Sequence, residues 1–218
     1  MEKVINEILD KKVIVILRGV ARDELIPLAE ALYEGGIRLM EITYNANGTP
    51  SDAETAENIR LLAEHFDGRM LIGAGTVIRR EQVELTRAAG GKFIISPDTD
   101  PEIIKYTKEL GLVSIPGALT PSEITLANRS GADFIKLFPI SSLGTKYVKA
   151  IRAPLSHVRM LAVGGVNVDN MSEYFNAGIC GIGAGHKNIA DAELFEKRDY
   201  AAITEKVKSF LEVVYSAK

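Results

Sequence analysis

Short β-branched runs alternate with amphipathic stretches along the whole chain, and this pattern predicts an α/β fold: a single (β/α)8 TIM barrel with an extra N-terminal helix. Two observations favour closure over an open sheet. Connections of a dozen or more residues between successive runs require parallel pairing, and eight strand–helix units fit into 218 residues. The runner-up is a doubly wound sheet whose phosphate loop would be Gly181-Ile182-Gly183-Ala184-Gly185. That spacing is not G-x-G-x-x-G, and the segment comes near the end of the chain.

The opening helix, about Lys3–Leu9, has no strand partner and is expected to cover the barrel floor. The predicted strands are Val13–Leu17, Leu39–Thr43, Met70–Ile72, Phe93–Ser96, Val113–Ile115, Phe134–Phe138, Met160–Val163 and Gly178–Ile182. Between them, amphipathic stretches predict helices over Asp23–Gly35, Asp52–His65, Arg80–Ala89, Pro101–Leu110 and Pro121–Arg129, and a last helix over Tyr200–Tyr215 completes the eighth unit. Asp23, Asp52, Asp100 and Thr120 are the expected N-caps, and Gly35, Gly90, Gly111 and Gly131 the expected stops. No Pro/Ser-rich linker or low-complexity tract interrupts the pattern, so residues 1–218 read as one domain.

Composition narrows the classes of function. Hydrophobic residues make up 46% and charged residues 25% of the chain, the balance of an ordinary globular protein. A net charge of −3 gives no reason to expect nucleic acid or an anionic membrane as partner. Cys180 is the single cysteine, which rules out an internal disulfide framework and any zinc-ligand spacing. The acidic, amphipathic start is unlike a signal peptide and no apolar run reaches bilayer length, so a cytoplasmic location is expected.

Lys136 stands in the middle of Phe134-Ile135-Lys136-Leu137-Phe138-Pro139. A lysine desolvated among apolar side chains loses its preference for the charged form, and free amine attacks carbonyls. The plain alternative is a side chain that snorkels from the outer face of its strand. Alternation along the strands discriminates between them. Ile14, Ile16 and Arg18 share one face, as do Leu39, Glu41 and Thr43, and Phe134, Lys136 and Phe138. If these faces are inward, Arg18, Glu41 and Lys136 converge near the carboxyl ends of three strands, where barrel active sites are built. A structural ion network would be the competing account.

Glycines mark the same end of the barrel. Gly73-Ala74-Gly75-Thr76, Gly164-Gly165 and Gly183-Ala184-Gly185 close the third, seventh and eighth strands. Backbone amides after the last two strands can hold a phosphate, although glycines there also serve tight turns. His65 reads as a helix-end residue, and His157 lies in a polar connection. His186, directly after the last glycine, could touch a ligand or simply be solvated. Asp98 and Asp100 read as turn and cap, and no cluster has the oxygen density of a metal cage.

Glu41-Ile42-Thr43, Gly73-Ala74-Gly75-Thr76-Val77, Ser96-Pro97, Ile115-Pro116-Gly117, Lys136-Leu137-Phe138-Pro139 and Val163-Gly164-Gly165-Val166 together resemble the class I aldolases of the 2-keto-3-deoxy-6-phosphogluconate (KDPG) / 4-hydroxy-2-oxoglutarate (KHG) family. The similarity runs from about Val13 to the last helix. Arg18-Gly19, Asn45 and Ala162–Val166 are most similar to the 6-phosphogalactonate (KDPGal) branch. The resemblance implies a homotrimeric barrel enzyme that needs neither metal nor organic cofactor. It implies an imine-forming Lys136 and an acid/base Glu41, with Thr76, Pro97 and Phe138 against the substrate. Arg18, Gly164, Gly165, Gly185 and His186 fall on the carboxylate- or phosphate-side contacts. Two departures bear on the substrate: many relatives carry serine where His186 stands, and the segment Tyr44–Ala53 looks longer than usual.

The expected reaction is cleavage of a 2-keto-3-deoxy-6-phospho-sugar acid to pyruvate and glyceraldehyde 3-phosphate. A KHG aldolase releasing pyruvate and glyoxylate is the near alternative. A phosphosugar isomerase or epimerase could also use Glu41 and Lys136, and a non-catalytic phosphate sensor would keep the glycine loops without needing the lysine.

Overall fold

In a computed structural model describing residues 1–216, the chain alternates strand and helix around one parallel sheet. The helix α1 (Glu2–Lys11) leads into β1 (Val13–Leu17), α2 (Arg22–Glu34), β2 (Leu39–Thr43) and α3 (Asp52–His65). Next come β3 (Leu71–Gly75), α4 (Arg80–Ala88), β4 (Phe93–Ile95), α5 (Pro101–Glu109), β5 (Val113–Ile115) and β6 (Gly117–Ala118). The second half contains α6 (Pro121–Arg129), β7 (Ile135–Leu137), α7 (Gly144–Arg152), β8 (Met160–Val163), α8 (Met171–Asn176) and β9 (Gly181–Gly185). Three helices finish it: α9 (His186–Ile189), α10 (Ala192–Glu196) and α11 (Tyr200–Ser216). No helix among the described residues is long and apolar enough to cross a membrane.

The strand order β5-β4-β3-β2-β1-β9-β8-β7-β6 brings the two ends of the sheet together, because β5 and β6 are one strand broken at Pro116. Proline has no N–H to give to a ladder. The seam is still bonded across: Phe134 N donates to Ser114 O at 3.3 Å, and Lys136 N to Pro116 O at 2.9 Å. Counting the broken strand once gives the eight-stranded barrel expected from the sequence. Its floor is covered by α1, whose Val4 and Ile8 pack with Ile14, Leu39, Phe93, Phe134 and Leu161 from the barrel interior.

Two strands sit elsewhere than the sequence predicts. β3 begins at Leu71 and runs on through Gly75, and β9 starts at Gly181 rather than Gly178. In both, glycine is needed for the space it leaves inside the barrel. A Cβ on Gly73 would lie 2.3 Å from the Phe93 ring, and one on Gly183 2.9 Å from Val163. Gly181–Gly185 is therefore a barrel strand between β1 and β8, which removes the phosphate-loop architecture. Two N-caps also move by a residue or more. Ala21 precedes α2, with Asp23 and Glu24 in the first turn, where they suit the helix dipole. Ser51 caps α3 in a reciprocal box with Glu54, ahead of Asp52. Asp100 and Thr120 cap α5 and α6 as expected. Gly35 is right-handed, and Gly36 carries the positive φ that ends α2.

Candidate active site

Parallel pairing aligns Ile16 on β1 with Glu41 on β2, and Gly117 on β6 with Lys136 on β7. Strand alternation turns the Glu41 and Lys136 side chains inward, where they join Ile14, Ile16, Ile95, Ile115, Leu161 and Val163 around the upper core. Above that apolar layer, at the carboxyl ends of the strands, lies a cavity of about 350 Å³. Glu41 and Lys136 form part of its floor, and Arg18, Thr76, Pro97, Phe138, Gly164, Gly165 and Gly185 line its walls. The structure thus brings together nine of the ten residues singled out from sequence.

The tenth, His186, is turned away. Its Nδ1 lies 3.2 Å from Ile16 O, and its ring meets Phe195 edge-on with centroids 4.9 Å apart. It borders a separate cavity with Gly19, Leu28 and Tyr200. Burial lowers its pKa, only partly opposed by the Ile16 carbonyl, which favours a neutral ring. Sequence adjacency to Gly185 gave no information on the rotation of α9, which carries the ring off the cavity and places Asn188 on its wall instead. Asn188 was not singled out from sequence, since α9 has no periodicity long enough to be recognised.

Both central ionisable groups are desolvated. Glu41 is 2% and Lys136 7% exposed, and Glu41 Oε2 is buried with no hydrogen-bond partner. Burial pushes the Glu41 carboxyl up, against the opposing pull of Lys136 and Arg18. Burial likewise pulls the Lys136 ammonium down, while Glu41 pushes it up and Arg18 adds a smaller downward effect. Proton affinities shifted towards each other are what an amine nucleophile and a carboxyl proton carrier require. The Lys136 Nζ also sits 4.6 Å from the centroid of the Phe138 ring, which holds the side chain at the cavity floor.

Backbone geometry serves the same pair. A Cβ at Gly75 would lie 2.4 Å from Glu41 Oε1, so the missing side chain on β3 is the space in which the carboxylate rests. The next residue, Thr76, has φ +59°, which is uncommon outside glycine and concentrated at functional sites. Its hydroxyl accepts a hydrogen bond from Arg18 Nη2 at 2.8 Å, tying the end of β3 to the end of β1 over Glu41. On the opposite wall Gly164 and Gly165 have φ +93° and +77°, and their amides donate to no backbone acceptor among the described residues. A Cβ on Gly165 would fall 2.5 Å from Ser141 Cβ, so this turn is closed to other residues twice over.

The segment after Glu41 folds back on itself. Asn45 binds Thr49 O through its amide and accepts from Asn47 N at 3.0 Å. Asn45 lines a smaller chamber of about 160 Å³ that shares Arg18 with the main cavity. Asp100 is occupied in capping α5, and no group of three or more His, Cys, Asp and Glu side chains is placed to hold a metal among the described residues.

A family profile described as KDPG and KHG aldolase matches residues 4–206. The chain is 34% identical over 173 residues to a 2-dehydro-3-deoxy-6-phosphogalactonate aldolase of Escherichia coli, covering 79% of this chain and 82% of that protein. It is 37% identical over 153 residues to a 2-dehydro-3-deoxy-phosphogluconate aldolase of Treponema pallidum, covering 70% of each. Among solved structures, it superposes with a TM-score of 0.81 and 29% identity on a KDPG aldolase of Legionella pneumophila, covering 92% of this chain and 94% of that one. That crystal holds pyruvate captured at low pH as a covalent carbinolamine intermediate.

Proposed function

The chain belongs to the KDPG and KHG aldolase family and is a lyase, and on that premise we propose that Lys136 is its Schiff-base nucleophile and Glu41 its proton carrier. The substrate class is a 2-keto-3-deoxy-6-phospho-sugar acid, cleaved to pyruvate and glyceraldehyde 3-phosphate. The observation that carries this reading is the desolvated pair itself: an unpartnered buried carboxyl facing the same cavity as a lysine whose ammonium is disfavoured.

Neutral Lys136 attacks the C2 ketone, and loss of water gives a protonated imine. Glu41, directly or through one water, removes the C4 hydroxyl proton. As the C3–C4 bond breaks, its electron pair flows into the iminium and the aldehyde departs. The enamine left on Lys136 takes a proton at C3 from Glu41, and hydrolysis frees pyruvate and restores the amine. Arg18 and Thr76, already hydrogen-bonded to each other, are placed to hold the C1 carboxylate. Pro97 and Phe138 border the reacting carbons, while Gly164, Gly165 and Gly185 present backbone at the phosphate end. Similarity to the E. coli 6-phosphogalactonate aldolase favours the galactonate epimer. The cleaved acid could be the shorter 4-hydroxy-2-oxoglutarate only if the glycine end accepts a carboxylate.

Borohydride reduction with pyruvate, followed by intact mass and peptide mapping, tests the assignment. A pyruvate-sized adduct on Lys136, lost in Lys136→Ala together with cleavage, is the expected result. Glu41→Gln should still form the adduct and turn over slowly. Proton exchange without cleavage or adduct would move the protein to the isomerase class.

The same reading takes the chain as one catalytic domain acting in the cytoplasm as a homotrimer, without a metal or organic cofactor. Exposed Leu126, Leu143 and Val168 supply apolar surface suited to subunit contact.

A further inference from the structure

The two ends of the cavity differ in how they can hold an anion. At one end the Arg18 guanidinium is directed across β2 to Thr76, just past β3. Towards β8 and β9 the wall is Gly164, Gly165 and Gly185 with the Asn188 side chain, and Arg18, past the end of the neighbouring β1, turns its guanidinium away to Thr76. A Cβ built on Gly185 would lie 3.9 Å from Asn188 Nδ2, so the carboxamide lies alongside that glycine. The amide makes no hydrogen bond among the described residues, and the residue is exposed to the cavity side of α9. His186, two residues earlier, is committed to Ile16 O and Phe195.

We propose that Asn188 is a specificity-determining residue, the side-chain donor that takes the phosphate monoester of the substrate through its Nδ2–H. This deepens the aldolase reading and rests on it. A dianion met here by backbone N–H groups and a neutral carboxamide is recognised largely by directed dipoles, so a negative charge brought among them is disfavoured. Asn188→Asp changes shape little and brings such a charge. Asn188→Ala removes only the donor.

The test compares steady-state kinetics on the phosphorylated keto acid and on its unphosphorylated analogue. In Asn188→Asp, KM for the phosphorylated acid rises by about ten-fold or more, and in Asn188→Ala by about three-fold. Constants for the unphosphorylated analogue and pyruvate trapping on Lys136 stay as in the unmodified enzyme, which also establishes folding. An unchanged KM in Asn188→Asp, or an equal rise for both substrates, overturns the proposal. A second readout is independent of turnover: titration with inorganic phosphate should move the Asn188 side-chain amide resonance, and a resonance that does not move refutes the assignment. Loss of pyruvate trapping in the unmodified protein would instead strike at the aldolase reading, leaving the phosphate titration to decide on Asn188.

Discussion

Glu41 and Lys136 hold their ionisable heads where apolar neighbours disfavour charge, and this has a thermodynamic sign. For Glu41 the folded-state pKa lies above the ordinary 4.5. Between those two values the folded chain binds more protons than the unfolded one, so its stability falls as pH rises through that interval. Near neutral pH the buried carboxylate therefore destabilises the fold. Glu41→Gln should slow turnover yet raise Tm at pH 7, by roughly 2–4 °C for each kcal/mol relieved in a chain of this size. The gap should close as pH is lowered towards 4.5; a Tm difference independent of pH would contradict the burial argument. Gly75 yields a second expectation at this scale. Gly75→Ala places a methyl 2.4 Å from Glu41 Oε1 and must push the carboxylate aside. We expect kcat to drop by about 100-fold while pyruvate trapping on Lys136 persists. His186 illustrates what the sequence withheld: its position after a glycine was plain, but its orientation depends on the carbonyl of Ile16, 170 residues away, and on the ring of Phe195 in the next helix.

At the scale of elements, legibility followed side-chain chemistry. β1, β2, β5 and β8 match their predicted bounds because each carries β-branched residues and no glycine to be mistaken for a turn. β3 and β9 were displaced because glycine, read locally, signals a turn, whereas here it yields volume to Phe93, Glu41 and Val163. The helix α3 was legible in extent, although its first capping oxygen belongs to Ser51 and not to Asp52. A tie between elements was not legible at all. The Asp133 carboxylate, at the foot of β7, binds Lys108 of α5 at 2.6 Å and accepts from Ser114 N of β5 at 2.9 Å. Lys108→Met should destabilise the fold, by less than the roughly 3–5 kcal/mol of a fully buried pair because Lys108 is partly exposed. Chemical denaturation would measure it; no change would mean that Ser114 N alone satisfies Asp133.

For the molecule as a whole, the barrel was the most legible feature, since eight repeats of one pattern reinforce one another where a single boundary does not. Assembly is the least legible, because a subunit contact needs surface geometry. If the protein is a trimer, sedimentation equilibrium should give three times the 23.7 kDa chain mass. Leu126→Glu, Leu143→Glu or Val168→Glu at a true contact should lower that mass, and a monomeric mass for the unmodified protein would end the trimer proposal.

The interruption at Pro116 gives the cylinder one stave joint with fewer paired residues than the β1–β2 and β2–β3 joints across the barrel. A closed sheet opens more readily where its lacing is sparser, so amide exchange under native conditions should reach this joint ahead of the β1–β2 and β2–β3 joints. Lys136 stands on one lip of it, and its own amide supplies a crossing bond to the Pro116 carbonyl. The proposed nucleophile is thus mounted on a joint laced more sparsely than those across the barrel from it. If Lys136 carries the substrate as proposed, mild heating should then loosen the grip on its pyruvate adduct before the far side of the barrel registers any change.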